Sequence, residues 1–461
     1  MGVRSLESLT NPGVFNSLWT VIPAPNLSTM GSQPISPPQT ARRAPKSFLR
    51  RNRRKGGFGA RRNQEGGAFM VFSERDIDLL RLLCWCQYLP PEAACQICPE
   101  AEVQLLRSMG LVRQHRTSGA LLLTTQGAEW LGGICPGGVP AFSRSYHKSA
   151  IQRRLRISRL ALTAYRAGVH IFTTSTEELS ASPALFFSSI TRSRGSNPWG
   201  STRVAALAHL GELLCSIHYV CPGIGKIALT DELTAFNNQT AAFRGLRRVM
   251  VFAGESYASV LSELEAVYPH GDTKLIPYGE AYRRLRLPVH LLSCDDTGAI
   301  QLQILATPGY RLRLTQAALK SQYVPPPEGA PALDAMFQGL PFVMAADMDL
   351  RRIDAALITA QRMGRPQIAL AALKGQAESV LFSRYRDTGL ARVFVLTRSA
   401  LAEALGRPPA PHIPSRMQYL TEKGDVVDAA SVRTDRTARG LAGVQMRERV
   451  PPPGADRETT I

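Results

Sequence analysis

Residues 73–86 read SERDIDLLRLLCWC, the segment on which the first folded domain is built. Ser73, followed by Asp76 three residues later, resembles a helix-capping box. The apolar residues after this pair recur at the spacing of one helix face, and they are Ile77, Leu79, Leu80, Leu83 and Trp85. We therefore expect an amphipathic first helix that packs against whatever the next elements provide.

Two more helices and a hairpin are predicted directly after this segment. Pro90-Pro91 ends the first helix and starts another, and Gly110 supplies a C-terminal stop for the third. The predicted elements are helices over 92–98 and 100–109, strands over 111–115 and 120–124, and a closing helical turn over 126–131. Three helices followed by a hairpin predict a winged helix, a variant of the helix-turn-helix, over residues 72–131.

A winged helix usually docks on DNA, so its basic residues are candidate contacts. The third helix offers Arg107 alone against Glu100 and Glu102, and acids near a phosphate backbone are unfavourable. The hairpin is better supplied, with Arg113, His115 and Arg116. The sequence therefore favours the hairpin for DNA contact, with a winged helix used only for protein contact as the alternative.

Residues 144–170 predict a basic connecting helix. Its apolar residues recur on one face, while its arginines lie mainly elsewhere around the helix. Guanidinium groups suit phosphate recognition, and the candidate DNA contacts here are Arg153, Arg154, Arg156 and Arg159. The alternative is a solvated helix face beside acidic neighbours.

The net charge of +19 also favours a polyanionic partner, which we expect to be double-stranded DNA. Ten Lys or Arg residues and no acid fall between Arg42 and Arg62, interleaved with Gly and Pro. This composition predicts a disordered basic arm over residues 1–70, unless the native chain begins at Met30 or Met70. No secretory signal or long apolar run is evident, so we expect a cytoplasmic protein with no membrane partner.

The eight cysteines are scattered, which is typical of reduced thiols. Four of them invite a zinc interpretation through their spacing, but Cys84 and Cys86 fall inside a leucine-rich helix on different sides. We therefore expect small core residues there. Neither a metal site nor a cofactor is predicted.

Residues 185–400 predict an α/β domain with a mixed sheet, because strand and helix patterns alternate. The predicted strands cover 185–190, 210–221, 248–252, 289–294, 300–305, 340–345, 368–373 and 391–396, and the predicted helices cover 256–267, 350–363 and 376–385. The strands over 289–294 and 300–305 are expected to form a hairpin through residues 295–298. The tail over 407–461 is predicted to be mostly disordered, with a short ordered piece near Met417–Leu420.

No common catalytic motif occurs in this half. Gly223-Ile224-Gly225-Lys226 is too short for a phosphate-binding loop, and neither a zinc-protease helix nor a nucleophile elbow is present. We predict no catalytic residue. The enzyme alternative is a metal-dependent nuclease that uses the scattered acids Asp231, Glu232 and Asp347.

Residues 74–80 (ERDIDLL), 105–112 (LLRSMGLV) and 123–131 (LTTQGAEWL) resemble the replication-relaxation family, which is encoded on plasmids and integrative conjugative elements. The resemblance implies a non-enzymatic DNA-binding accessory protein of a mobile element, acting in plasmid replication, relaxation or conjugative transfer. Other replication or transfer proteins would be its partners. It also implies a second half like a restriction-endonuclease core.

An active core of that kind needs an acid on one strand and E-x-K or D-x-K on the next. The predicted strand 301–305 (QLQIL) has neither an acid nor a lysine, and Glu232 has no lysine two residues on. We therefore expect any such core to be degenerate. Two alternatives stay open, a winged-helix interaction scaffold without DNA contact and the nuclease.

Overall fold

The computed structural model describes residues 72–135, 147–193, 198–222, 225–268, 274–410, 417–420, 426–428 and 445–448. All of them belong to one compact unit of the chain. The basic arm predicted over 1–70 lies outside the described residues, as does most of the tail predicted over 407–461.

The N-terminal part contains the helices and the hairpin that the sequence predicts. Its elements are α1 (Glu74–Cys86), α2 (Pro91–Ala94), α3 (Glu100–Ser108), β1 (Val112–Gln114), β2 (Leu121–Leu123) and α4 (Thr125–Ile134). Ser73 caps α1, because its hydroxyl accepts from the Asp76 backbone N–H while the Asp76 carboxylate accepts from the Ser73 N–H at 2.9 Å. β1 and β2 pair antiparallel, with Arg113 opposite Leu122.

Helix α5 (Lys148–Arg166) joins this part to the remainder of the chain. The indole Nε1 of Trp85 donates to the carbonyl of Thr173 at 3.1 Å, and the Tyr165 hydroxyl donates to Asp78 at 2.6 Å. Residues from both sides also share one apolar core. The N-terminal helices are therefore packed onto the α/β part rather than tethered to it.

A five-stranded mixed sheet follows. Its region contains β3 (Ala184–Phe187), α6 (Ser188–Ser193), β4 (Val204–Leu210), β5 (Leu213–Tyr219), β6 (Lys226–Ile227), α7 (Leu229–Gln239), β7 (Arg247–Gly254), α8 (Tyr257–Glu265), β8 (Ile276–Pro277), α9 (Tyr278–Arg284) and β9 (Val289–Ser293). The strand order is β3-β4-β5-β7-β9. β3, β4 and β5 are antiparallel, whereas β5, β7 and β9 run parallel, which needs the crossovers containing α7 and α8.

A four-stranded sheet completes the α/β part, in the order β10-β11-β12-β13. Its region contains α10 (Asp296–Leu305), α11 (Tyr310–Leu319), β10 (Ala335–Phe337), β11 (Leu340–Met344), α12 (Leu350–Arg362), β12 (Ile368–Ala372), α13 (Lys374–Gln376), a π-helix over Ala377–Arg386, β13 (Ala391–Val395) and α14 (Arg398–Leu405). The backbone N–H of Leu291 in β9 donates to the carbonyl of Met348 at 3.2 Å, so the two sheets meet. Strands β14 (Met417–Leu420), β15 (Val426–Asp428) and β16 (Gln445–Glu448) form a small antiparallel sheet, and β14 coincides with the predicted ordered piece.

The α/β class is confirmed, but some strand predictions are wrong. Residues 300–305 belong to α10, and Asp295 caps that helix by accepting from the Gly298 N–H at 2.9 Å instead of turning a hairpin. A short apolar run looks alike in a buried strand and a buried helix, because burial on all sides removes the periodicity. The predicted strand 210–221 is β5 alone, and its antiparallel neighbour β4 was missed. Across the described residues, no helix is both long and apolar enough to cross a membrane.

Candidate nucleic-acid interface

Helix α5 turns its arginines to different sides. Arg153 is exposed and Arg156 and Arg159 are half-buried, whereas Arg154 is only 8% exposed. Arg154 follows Ile151 by three residues and precedes Ala161 by seven, so it lies on the packed face of the helix. Burial lowers its pKa to about 10. The expectation that Arg154 contacts DNA is therefore corrected, because its guanidinium lies inside the protein.

The hairpin lies against the first turns of α5. Leu122 and Ala120 pack with Tyr88 and Ile151 in a small apolar cluster. Arg113 and Arg116 stay exposed on the strand and turn. His115 is half-buried, with its Nδ1 3.0 Å from the Ser118 hydroxyl. The hairpin thus packs on α5 through its apolar residues, while Arg113 and Arg116 are exposed and His115 is engaged within the turn.

Helix α3 presents a different surface from the one predicted. Glu102 is only 5% exposed, so one of its two acids does not face solvent. Arg107 donates to the side-chain oxygen of Gln104 at 3.1 Å and to that of Gln114 in β1 at 3.5 Å. Sequence reasoning missed both glutamines. The signal was the three-residue spacing of Gln104 and Arg107, which places them on one helix face.

The charge of this region is concentrated in α5. Residues 72–135 contain five basic and seven acidic residues, a net charge of −2, whereas Lys148–Arg166 contains six basic residues and no acid. A surface that attracts DNA must therefore include α5, because the N-terminal helices alone do not supply the positive charge.

A cleft of ≈ 550 Å³ opens between the hairpin, α5 and the carboxyl end of β5. Its lining includes Gln114 and Ser118 from the hairpin, Gln152, Arg156 and Arg159 from α5, and Tyr219 and Glu255 from the ends of β5 and β7. β5 and β7 are parallel, and ligand sites of α/β sheets lie beyond the carboxyl ends of such strands.

Arg159 is held in place within this cleft. Its guanidinium donates to the Glu255 carboxylate and also hydrogen-bonds Tyr219. Burial opposes the charged form, but these two partners outweigh it, so the pKa of Arg159 is raised. Arg159 is thus a positioned cation whose charge is largely balanced by Glu255.

A buried polar cluster lies on β5 and α7. The Ser216 hydroxyl is 3.1 Å from Nε2 of His218, and Nδ1 of His218 is 3.8 Å from Oε2 of Glu232. All three side chains are fully buried, and burial lowers the pKa of His218 to about 3. A neutral, enclosed imidazole does not give the hydroxyl access to a substrate, so this cluster is structural.

The three acids of the nuclease alternative have different surroundings in the structure. Asp231 is exposed, and Glu232 belongs to the buried cluster. The Asp347 carboxylate accepts hydrogen bonds from the Tyr310 hydroxyl at 2.8 Å and from the Arg311 guanidinium at 2.6 Å. Burial alone would raise the pKa of Asp347, but the charges of Arg352 and Arg311 outweigh burial and hold this pKa far below the usual range. Asp347 is therefore part of a buried ion cluster.

Among the described residues, one trio of possible metal ligands lies within 4.8 Å, formed by Asp76, Cys98 and Glu102. Its groups already serve the fold, since Asp76 caps α1 and the Cys98 thiol donates to the Arg75 carbonyl at 3.2 Å. Cys84 and Cys86 are buried and Cys95 is exposed, so the four clustered cysteines of the sequence do not form a common site.

In comparisons with known proteins, no family model, no curated protein and no solved structure matches this chain. The resemblance to the replication-relaxation family therefore stays a prediction. What the site can do follows from its own geometry, which is a basic helix and a hairpin beside an open cleft.

Proposed function

We propose that this protein is a non-enzymatic DNA-binding protein that docks duplex DNA on the hairpin, α3 and α5. The observation that carries the proposal is the packing of the hairpin against α5, a helix without acids, with Arg113 and Arg116 exposed on the hairpin and Arg153 exposed on the helix. In this proposal the N-terminal helices and hairpin act as a winged helix, with the hairpin as the wing.

In this arrangement α5 supplies the phosphate contacts. Arg153 and Arg156 lie three residues apart on the accessible side of the helix, and planar guanidinium groups bind phosphate oxygens in pairs of hydrogen bonds. Such contacts position a duplex without reading its sequence.

Helix α3 offers a small base-reading group. Arg and Gln are the side chains that pair with guanine and adenine in the major groove. Gln104 and Arg107 lie side by side on α3, hydrogen-bonded to each other. The burial of Glu102 supports this role, since that carboxylate does not meet the phosphates.

For the α/β part we propose a degenerate restriction-endonuclease-like core. Three antiparallel strands, β3 to β5, followed by α7 and the parallel strand β7, support this interpretation. We infer that this core is degenerate, because β5 contains neither the acid nor the lysine that an active core would need on such strands. The proposed role in plasmid replication, relaxation or transfer rests on the sequence resemblance alone.

A protein-interaction scaffold is the second candidate, favoured by the net charge of −2 over residues 72–135. Fluorescence anisotropy with random-sequence duplex DNA separates the two. We expect the wild type to bind this duplex. The double variant that combines Arg113→Ala with Arg116→Ala should bind at least about tenfold more weakly, because each lost charged hydrogen bond costs ~1.5–3 kcal/mol.

The matched control is Arg362→Ala with Arg365→Ala, which removes two exposed arginines at the end of α12. We expect it to bind like the wild type. Equal affinity of both double variants would contradict the role of the hairpin, and no duplex binding by the wild type would favour the scaffold.

A further inference from the structure

The cleft between the hairpin, α5 and β5 lies beside the open surface that we assign to the duplex, and the two share Arg156 at their border. We propose that it binds one unpaired nucleotide, a base together with its phosphate; this inference rests on the proposed DNA-binding function. The volume of ≈ 550 Å³ falls within the roughly 300–1,000 Å³ that is usual for small-molecule sites.

The phosphate end of the cleft is formed by α5. Arg156 lines the cleft, is half-buried and makes no ion pair with another described residue. Its neighbour Arg159 is fixed by Glu255 and Tyr219. One free guanidinium beside one that is already oriented binds a single phosphate with little loss of side-chain freedom.

The other walls suit a base. Tyr219 provides an aromatic ring, and bases stack on such rings whatever their identity. The amide of Gln152 offers a donor and an acceptor for the edge of a base, whereas the amide of Gln114 already donates to the Gly119 carbonyl at 2.8 Å. The cleft therefore combines an anion site, an aromatic wall and polar edges within the span of one nucleotide.

Two carboxylates on the lining argue against a duplex inside the cleft. The carboxylates of Glu92 and Glu255 line the cleft, and they would repel the second row of phosphates that a duplex would bring. Ser118 lies both in the cleft and in the turn of the hairpin. An unpaired nucleotide at the edge of a bound duplex would thus reach the cleft directly.

The test compares a labelled single-stranded twelve-nucleotide oligothymidylate with a duplex of equal length, using the full chain. Gln152→Trp fills the cleft from the exposed surface of α5 without changing charge, and Gln361→Trp is the matched control on α12. We expect Gln152→Trp and Arg156→Ala each to weaken single-strand binding about tenfold. We expect Gln152→Trp to leave duplex binding within about twofold of the wild type.

The outcomes are separable. Single-strand affinity that is unchanged by both Gln152→Trp and Arg156→Ala overturns the cleft proposal, even when the duplex binds. Absence of duplex binding with single-strand binding that depends on Arg156 retains the cleft and removes the proposed duplex function. Calorimetry with thymidine monophosphate then identifies the source of the nucleotide. Binding by the wild type that is lost in Arg156→Ala points to a free nucleotide, whereas no binding by the wild type points to a nucleotide within a DNA strand.

Discussion

The salt dependence of duplex binding gives the sharpest prediction for α5. Replacing Arg153 and Arg156 together by Ala removes two accessible cations that can neutralise phosphates. Each phosphate contact contributes about −0.9 to the slope of log affinity against log salt. We therefore expect the slope to become less steep by about 1.8.

The structure selects these two residues, because the sequence alone gives four candidate arginines on α5, whose removal would change the slope by about 3.6. Arg154 is buried, and the charge of Arg159 is balanced by Glu255. Between about 50 and 200 mM salt, a slope change of about 1.8 means that the wild type loses about twelve times more affinity than the variant.

The assay is fluorescence anisotropy with one random duplex at several KCl concentrations. Arg154→Met, which keeps the volume of the buried side chain, is the control and should leave the slope unchanged. An unchanged slope in Arg153→Ala with Arg156→Ala would refute the reasoning. So would an Arg154→Met variant that lowers the slope as much as the double variant does.

Two further predictions concern stability. A Cβ added at Gly127 would lie 2.2 Å from the Leu111 carbonyl oxygen, so Gly127→Ala should lower the free energy of unfolding by about 2–3 kcal/mol, whereas Gly132→Ala, with nothing within 4 Å, should not. Thermal denaturation of both variants checks this, and equal melting temperatures would contradict it. Burial lowers the pKa of His218 to about 3 and that of His290 to about 4. As the pH falls, the unfolded chain therefore takes up these protons before the folded chain does. Each histidine should lower the free energy of unfolding by about 1.4 kcal/mol per pH unit below about 6.5, until the pH reaches the pKa of that histidine in the folded state. Urea denaturation at pH 7.5 and 5.5 measures the loss, and His290→Phe should reduce it.

Much of the N-terminal part could be predicted because its signals are local. The capping pair at Ser73 and Asp76, the proline stop after α1 and the glycine after α3 act within a few residues. The parallel strands β7, β9, β11, β12 and β13 were also found, because each is a short apolar run, and all but the edge strand β13 are largely buried.

The misassigned α10 marks the limit of such reasoning. Its polar residues Gln301 and Gln303 are buried, and Gln301 donates to the carbonyls of Leu291 and Asp347 at 2.8 and 2.9 Å. Leu291 lies in β9, ten residues before Gln301, and Asp347 lies after β11, 46 residues beyond Gln301. Only the packed structure supplies them, so the segment has no amphipathic pattern of its own.

In the candidate interface, too, some features follow from the local sequence and others only from tertiary packing. The chain itself determined that a capped helix, a hairpin and an arginine-rich helix form, because propensity, capping and turn chemistry are properties of neighbouring residues. Tertiary packing decided which arginines are available: the face of α5 that meets the core buries Arg154, the end of β7 brings Glu255 to Arg159, and Glu102 turns inward from α3. Burial and ion pairing depend on elements distant in the sequence, so the local pattern predicted the basic helix but not its surface.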